Sequence, residues 1–318
     1  MAADTPPEAD VDQLVTEAAE DHGLMLDEMS VAELAELMNE RDAGLAGAVR
    51  TQLPAITRAV EATVERMRRG GRLIYIGAGT SGRLGVLDAS EIPPTFGTDA
   101  GVVVGLIAGG GAAVVNSAES AEDSAETGAA DLAAANITAV DTVIGIAASG
   151  RTPYVLGAIA HATECGALTV GVSCNVGTPL SDAAEYAIEI PVGPEILAGS
   201  TRLGAGTATK MVLNMFSTIA MVHLGKTYGS LMVDVRAANA KLVRRVVRIV
   251  TLATGVDDHT ARDALREADW HAKLAIAMIA TGTDAATARA ELDAAGGVLS
   301  RVISADTGPI REPGQEQP

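Results

Sequence analysis

The chain has 318 residues, 48% of them hydrophobic but only 2% aromatic, with 34 glycines and a formal charge of −18. That length allows one large domain or two ordinary ones, and the shortage of aromatic residues means a core built from Ala, Val, Leu and Ile. The acidic balance excludes nucleic acid and anionic membranes as partners, since both need a basic surface, and no unbroken apolar run reaches the ~18 residues of a membrane span.

The N-terminus, MAADTPPEADVDQ, lacks the basic and apolar regions of a secretion signal, so the chain reads as cytoplasmic. Residues 1–29 form an acidic segment expected to be partly disordered. Ser30 then opens SVAELAELMNERD as an N-cap, with Glu33 three residues on and apolar residues at helical spacing. A second helix follows in AGLAGAVRTQLPAITRAVEATVERMRRGG, bent or restarted by Pro54 and ended by Gly70–Gly71. Five apolar runs come next: RLIYIGAG (72–79), VVVGLIAGG (102–110), DTVIGIAASG (141–150), ALTVGVSC (167–174) and EYAIEIPVG (185–193). Helical stretches lie between them, among them AAVVNSAESAEDSAETGAADLAAA and TPYVLGAIAHATECG. This alternation predicts an α/β fold with a doubly wound, five-stranded parallel sheet covered on both faces. Cys165 and Cys174 read as small apolar fillers within it. STRLGAGTATKMVLNMFSTIAMVHLG is a long apolar helix for the core or a subunit interface. From about Val235 the pattern is all-helical, in RAANAKLVRRVVRIVTLATG, DDHTARDALREADWHAKLAIAMIATG and DAATARAELDAAGGVLSRVIS, punctuated by Gly255, Asp257, Gly282 and Asp284. The predicted organisation is N-terminal helices over 30–70, a ligand-binding domain over 71–226, a small helical domain over 235–305 and a loose tail over 306–318.

Ligands in such sheets bind beyond the carboxyl ends of the strands, and two loops there carry chemistry. In IYIGAGTSGRLGVLDASEIPPTFG (74–97) a strand runs into Gly77, Ala78, Gly79, Thr80, Ser81 and Gly82, with a helix expected to begin near Arg83. Glycines permit close backbone approach, and the hydroxyls of Thr80 and Ser81 join the first helical N–H groups in an oxyanion cradle. GIAASGRTPYV (145–155) repeats the design with Ser149, Gly150, Arg151 and Thr152, and Pro153 suits a first helical turn. Such local donors are what an anion such as a sugar phosphate would need against a repulsive acidic background. Arg83 and Arg151 fit two roles, neutralising the phosphate or pairing on the surface. Gly77, Gly79 and Gly82 also fit the G-x-G-x-x-G of a dinucleotide fold. However, the next strand ends in IAGGG with no acid for a ribose, and no lysine precedes position 210 to serve a Walker loop. His161, His223 and His271 lack metal-ligand spacing, and Trp270 reads as packing.

GAGTSGRLGVLDASEIPPTFG, GLIAGG with AESAEDS downstream, GIAASGRTPYV, STRLGAGTATKMVLNM and GSLMVDVRAANAKL, in that order, resemble the N-acetylmuramic acid 6-phosphate etherase family of sugar-isomerase (SIS) fold. The likeness runs over residues 30–305. It implies cleavage of the D-lactyl ether at C3 of N-acetylmuramic acid 6-phosphate, giving N-acetylglucosamine 6-phosphate and D-lactate. The implied route is proton abstraction at C2 of the ring-opened sugar, loss of lactate and addition of water, with no metal or other cofactor, in a homodimer with composite sites. Elimination beside a carbonyl needs a base for the C2 proton and an acid for the ether oxygen, and carboxyl groups serve both when burial raises a pKa. Glu91, expected just beyond the first-loop helix at the ligand edge, is by resemblance the acid that protonates the ether oxygen. Glu122, expected in the helix after the second strand, is by resemblance the second catalytic carboxylate. On sequence alone they are a loop carboxylate and one of several acids on an acidic helix. Lys210 and Lys241 also lie in matched motifs, and Lys241 is either a substrate contact from the same or a neighbouring subunit or a surface lysine.

The sequence departs from the family pattern in several places. Thr16 and Glu17 match its T-E-x-x-N-x-x-S/T segment, but Glu20 and Gly23 replace the amide and hydroxyl residues. Gly204 stands for the lysine of K-A-G-T, Ala240 for the acid of N-E-K-L, and Cys174-Asn175-Val176-Gly177 for C-N-P-G. A shifted substrate such as a differently acylated muramic acid is one expectation from these changes. A non-catalytic sugar-phosphate sensor and an aldose–ketose isomerase are the competing readings on the same fold.

Overall fold

A computed structural model describes residues 14–18, 25–116, 119–235 and 240–303; Glu20, Gly23 and the predicted tail lie outside them. The described chain divides into two compact units, one of residues 14–90 with 101–217, the other of 91–100 with 218–303.

The first unit opens with three helices, α1 (Val31–Ala43), α2 (Leu45–Thr51) and α3 (Leu53–Arg68). Ser30 and Glu33 form the predicted capping box. Pro54 restarts the chain as α3 because its missing N–H costs nothing in a first turn. Gly70, at φ +87, ends it. Five parallel strands follow: β1 (Leu73–Gly77), β2 (Val103–Ile107), β3 (Thr142–Ile146), β4 (Leu168–Ser173) and β5 (Tyr186–Glu189), in the order β2-β1-β3-β4-β5. The strand order reverses between β1 and β3, which puts the switch-point crevice at their carboxyl ends. β1, β3 and β4 are buried along their whole length, whereas the edge strands β2 and β5 are only partly so.

Alternate side chains of β1 serve opposite faces, as strand geometry requires. Ile74 and Ile76 join Leu132, Val143, Tyr154, Val155, Ala158 and Ile159 in one apolar cluster. That face is covered by α5 (Ala125–Ala134) and α6 (Pro153–Glu164). Tyr75 points the other way, toward α4 (Gly79–Phe96) and α8 (Gly204–His223). α5 and α6 lie very close: a Cβ on Gly128 would stand 1.8 Å from the Tyr154 carbonyl oxygen, and one on Gly157 2.0 Å from that of Ala125. At the amino edge, Asp141 accepts from the Arg72 backbone N–H at 2.7 Å and from its guanidinium at 2.8 Å, tying the starts of β1 and β3 together.

Three expectations about helices need correction. α4 begins at Gly79 rather than near Arg83, and it continues through Pro93 and Pro94 to Phe96. The two prolines fall in its last turn, where only the carbonyls of Ala89 and Ser90 lose donors, and Gly97 at φ +61 closes the helix. The long helix expected after β2 is instead two 3₁₀ turns, Gly110–Val114 and Glu119–Glu122, followed by α5. Glycines at positive φ (Gly109, Gly110) start the first turn, and Ser124 caps α5 by accepting from the Thr127 N–H at 3.0 Å.

The second unit contains α9 (Ala240–Thr254), α10 (Asp258–Glu267), α11 (Ala272–Thr281) and α12 (Ala285–Ala294). Its small hairpin of β6 (Thr227–Tyr228) and β7 (Leu231–Met232) was not predicted. Asp257 and Asp284 accept from the N–H groups of Thr260 and Thr287, both at 2.8 Å, and so cap α10 and α12. The helical stretch over 257–282 comprises α10 and α11, separated at Asp269 and Trp270, both in the left-handed region. α11 is buried on nearly all sides, with Ala272, Leu274, Ala275, Ile276, Ala277 and Met278 in the core of this unit.

Candidate active site

The first loop is a tight fold-back of α4 onto the end of β1. The Gly82 N–H donates to the Ala78 carbonyl at 3.1 Å, and the Ala108 N–H donates to that of Gly77 at 3.0 Å. A Cβ on Gly82 would lie 2.5 Å from the Gly77 carbonyl oxygen, so this approach needs glycine. Gly79 is exposed and adopts φ +51 as the first helical residue. Thr80 and Ser81 therefore belong to the first turn of α4, half-buried, where backbone N–H groups have no intrahelical acceptor. The Thr80 methyl group packs toward the first turn of α8, 3.4 Å from where a Gly206 Cβ would be.

The second loop leaves β3, the strand beside β1. Gly150, at φ +66, donates to the Ala147 carbonyl at 2.9 Å, and a Cβ there would meet the Thr178 side chain at 2.4 Å. The Ser149 hydroxyl accepts from the Arg151 N–H at 3.2 Å. Thr152 is the N-cap of α6, but its side chain makes no capping bond, and Pro153 occupies the first turn as expected. The Arg151 Nε is buried and has no hydrogen-bond partner. Adjacent parallel strands thus deliver both hydroxyl-bearing loops and two helix N-termini to one edge of the sheet.

The remaining predicted residues are distributed differently. Arg83 follows the first loop directly, and it holds the segment after β2: its Nε donates to the Val114 carbonyl at 3.1 Å and its guanidinium to that of Asn116 at 2.9 Å. Glu122 is exposed at the end of the 3₁₀ turn Glu119–Glu122, which touches α6 and seats Ala121 on the apolar cluster. Glu91 is exposed inside α4 rather than beyond it, about 18 Å along the helix axis from Gly79 at ~1.5 Å per residue. Lys210 is exposed on α8, and Lys241 is exposed as the second residue of α9 in the second unit.

Sequence reasoning gave no site role to three groups that organise this edge. Asn175, just past β4, donates to the Thr16 hydroxyl and the Ala148 carbonyl, both at 3.0 Å, and accepts from the Val15 N–H at 3.0 Å. The fully buried Thr16 also accepts, through its carbonyl, from the Gly199 N–H at 3.2 Å. The buried carboxylate of Glu195 accepts from the N–H groups of Gly204 and Ala205 at 2.9 and 2.8 Å, which caps α8 and holds its first turn beside Thr80. The T-E and C-N-V-G matches were the only sequence signals for the first two; nothing local marks Glu195. Nearby, burial pushes the Cys174 thiol up to about 12, so it is an inert filler.

Sequence comparison agrees with this geometry. Residues 119–220 match the SIS domain, and residues 55–163 match the glucokinase regulatory protein N-terminal SIS domain. The switch-point sheet with its paired loops is therefore a SIS domain. N-acetylmuramic acid 6-phosphate etherases of Streptomyces avermitilis and Mycolicibacterium smegmatis are each 54% identical, over 94% and 93% of this chain and 96% and 99% of theirs. That of Rubrobacter xylanophilus is 55% identical over 90% of this chain and 95% of its own. Among solved structures, a phosphoheptose isomerase from Francisella tularensis aligns over 60% of this chain and 98% of its own, with TM-score 0.46 and 16% identity. The chain belongs to the N-acetylmuramic acid 6-phosphate etherase family.

Proposed function

We propose that this protein is a carbon–oxygen lyase that cleaves the D-lactyl ether of N-acetylmuramic acid 6-phosphate, releasing D-lactate and N-acetylglucosamine 6-phosphate. The observation that carries the reading is the pair of hydroxyl-bearing turns on neighbouring strands β1 and β3, in a chain of this family. The phosphate takes donors from Gly79, Thr80, Ser81 and Gly82 on one side and from Ser149, Gly150, Arg151 and Thr152 on the other. The buried, unpartnered Arg151 Nε supports an anion here, since an unmet buried donor is costly without a ligand. Arg83 orders the segment leading to Glu122 rather than touching phosphate.

In the proposed reaction one carboxylate removes the C2 proton of the open-chain sugar, and a carboxylic acid protonates the departing lactyl oxygen. Water then adds to the resulting double bond. Glu122 and Glu91 are the two groups, with Glu91 as the acid. Glu91 stands several turns along α4 from the first loop, and this supports a homodimer in which the partner copy completes each site. Lys241 is a substrate contact in the same assembly, the organisation is a sugar-phosphate domain over 71–226 with a helical domain over 235–305, and the protein works in the cytoplasm, in amino-sugar and cell-wall recycling. No helix among the described residues is long and apolar enough to cross a membrane.

The test is D-lactate release from N-acetylmuramic acid 6-phosphate by purified protein, with deuterium incorporation at C2 from heavy water. Glu91→Gln and Glu122→Gln should each abolish release. Mixing the two inactive variants should restore up to a quarter of the activity if subunits exchange and the two carboxylates come from different copies. Tight binding of the phosphosugar with no release by wild type would favour a sensor.

A further inference from the structure

We infer that the second unit carries a ligand site of its own, for a small phosphorylated sugar. The inference does not depend on the reading of the first unit. A cavity of about 760 Å³ lies against the start of α11, within the size range of small-molecule sites. The cavity lining holds two ammonium groups for one carboxylate: Lys273 Nζ and Lys226 Nζ approach the same Asp234 Oδ2 at 2.6 and 3.2 Å. The Lys273 and Lys226 side chains are only 12% and 29% exposed, so their repulsion is poorly screened by water. Burial, and then Lys226, lower the Lys273 pKa despite Asp234. An incoming anion would relieve that pair. Arg289 on α12 lines the same cavity and forms no ion pair among the described residues. The exposed Asp269 and Asp293 also line it and form no ion pair among the described residues, so the lining is mixed in charge.

The backbone supplies the second, independent observation. α10 ends with Asp269 at φ +51 and Trp270 at φ +59, a conformation that bulky L-residues avoid. The chain after α9 and after α11 makes the same kind of turn with Gly255 and Gly282. Glycine would end α10 without strain, but it would place no ring in the cavity wall. Trp270 does: it is half-buried, and its indole N–H has no hydrogen-bond partner among the described residues. An aromatic face with a free donor beside paired lysines suits a sugar ring bearing a phosphate. The N-terminus of α11 also lines the cavity; its cap residue, His271, makes no side-chain capping bond, and the Lys273 N–H donates to the Val233 carbonyl at 3.0 Å.

Trp270 is the chain's one tryptophan, so intrinsic emission reports on this cavity directly. The intact protein is titrated with N-acetylglucosamine 6-phosphate, inorganic phosphate and N-acetylglucosamine. The expected result is a saturable emission change with the phosphosugar, half-saturation at least tenfold higher with phosphate, and no change with the neutral sugar. Lys273→Met and Arg289→Gln should each raise half-saturation at least tenfold, with D-lactate release within about twofold of wild type. Arg151→Met, in the first unit, should leave the emission titration unchanged. A flat titration, an equal response to the neutral sugar or to phosphate alone, or loss of the response in Arg151→Met would overturn the site. If circular dichroism shows Lys273→Met unfolded, the exposed Arg289→Gln decides the question, and an unchanged titration there would likewise overturn it.

Discussion

Asp88 is the buried polar centre of the first unit, and removing it gives a prediction whose size follows from its partners. Its carboxylate accepts from the Tyr75 hydroxyl at 2.8 Å, the Asn214 amide at 2.9 Å and the Ser217 hydroxyl at 3.2 Å, linking β1, α4 and α8. Tyr75 and Ser217 are buried, so in Asp88→Ala neither hydroxyl can turn to water; Tyr75 keeps only a long contact to the Leu213 carbonyl at 3.5 Å, and Asn214 is half-buried. At about 1–3 kcal/mol for each buried hydroxyl that loses its acceptor, less the relief of no longer burying a carboxylate, the expected loss is about 1–4 kcal/mol. Urea unfolding followed by circular dichroism measures it. In a double-mutant cycle, Tyr75→Phe with Asp88→Ala should be less damaging than the sum of the singles by about 1 kcal/mol or more. The pH dependence has a definite sign. Burial raises the Asp88 pKa above its ordinary 3.8, against the hydrogen bonds that oppose it. The group's contribution to stability is thus fully present below 3.8 and is lost as pH rises through the higher folded value. Asp88→Asn should flatten that decline. A loss under 1 kcal/mol for Asp88→Ala, or additive singles, would refute the account of the network.

Asp141 should behave in the opposite sense. Burial alone would raise its pKa, but Arg72 and the Thr138 N–H outweigh it and hold the carboxyl below its usual range. Stability from this pair is present above 3.8 and lost as pH falls through the folded value, so Asp141→Asn should remove an acid-side slope in Tm. Arg151→Met should raise KM for the phosphosugar roughly 10- to 100-fold with a smaller effect on kcat, the worth of about 1.5–3 kcal/mol for a charged hydrogen bond. Gly128→Ala should destabilise by about 3 kcal/mol, since the new methyl meets a backbone oxygen of α6 rather than a flexible side chain. A Tm unchanged within a degree would mean that α5 and α6 are not docked this closely.

Much of this protein is set by short-range chemistry, and that part was legible. Five apolar runs became five parallel strands, because continuous burial on both faces leaves the same period wherever helices cover a sheet. The capping box at Ser30–Glu33, the Pro54 restart and the aspartate caps of α10 and α12 depend on neighbours three or four residues away. Both hydroxyl-bearing loops were visible as glycine and hydroxyl residues at strand ends. Motif order led to the family because long matched segments encode more than local propensity does.

What the sequence did not show depends on partners far along the chain. Nothing near Arg83 says that its guanidinium binds the carbonyls of residues 114 and 116, and nothing near Glu195 says that it caps a helix nine residues later. The helix was expected to end before Glu91, yet α4 continues through Pro93 and Pro94 to Phe96, with the prolines confined to its last turn. Glu91 therefore came out on a helix and not on a loop. The sequence by itself determined the periodicities, caps and turn residues, which are local energies fixed residue by residue. The tertiary structure alone decided which carboxylate met which donor, because a buried polar group takes its partner from whatever the packed chain brings within hydrogen-bond reach.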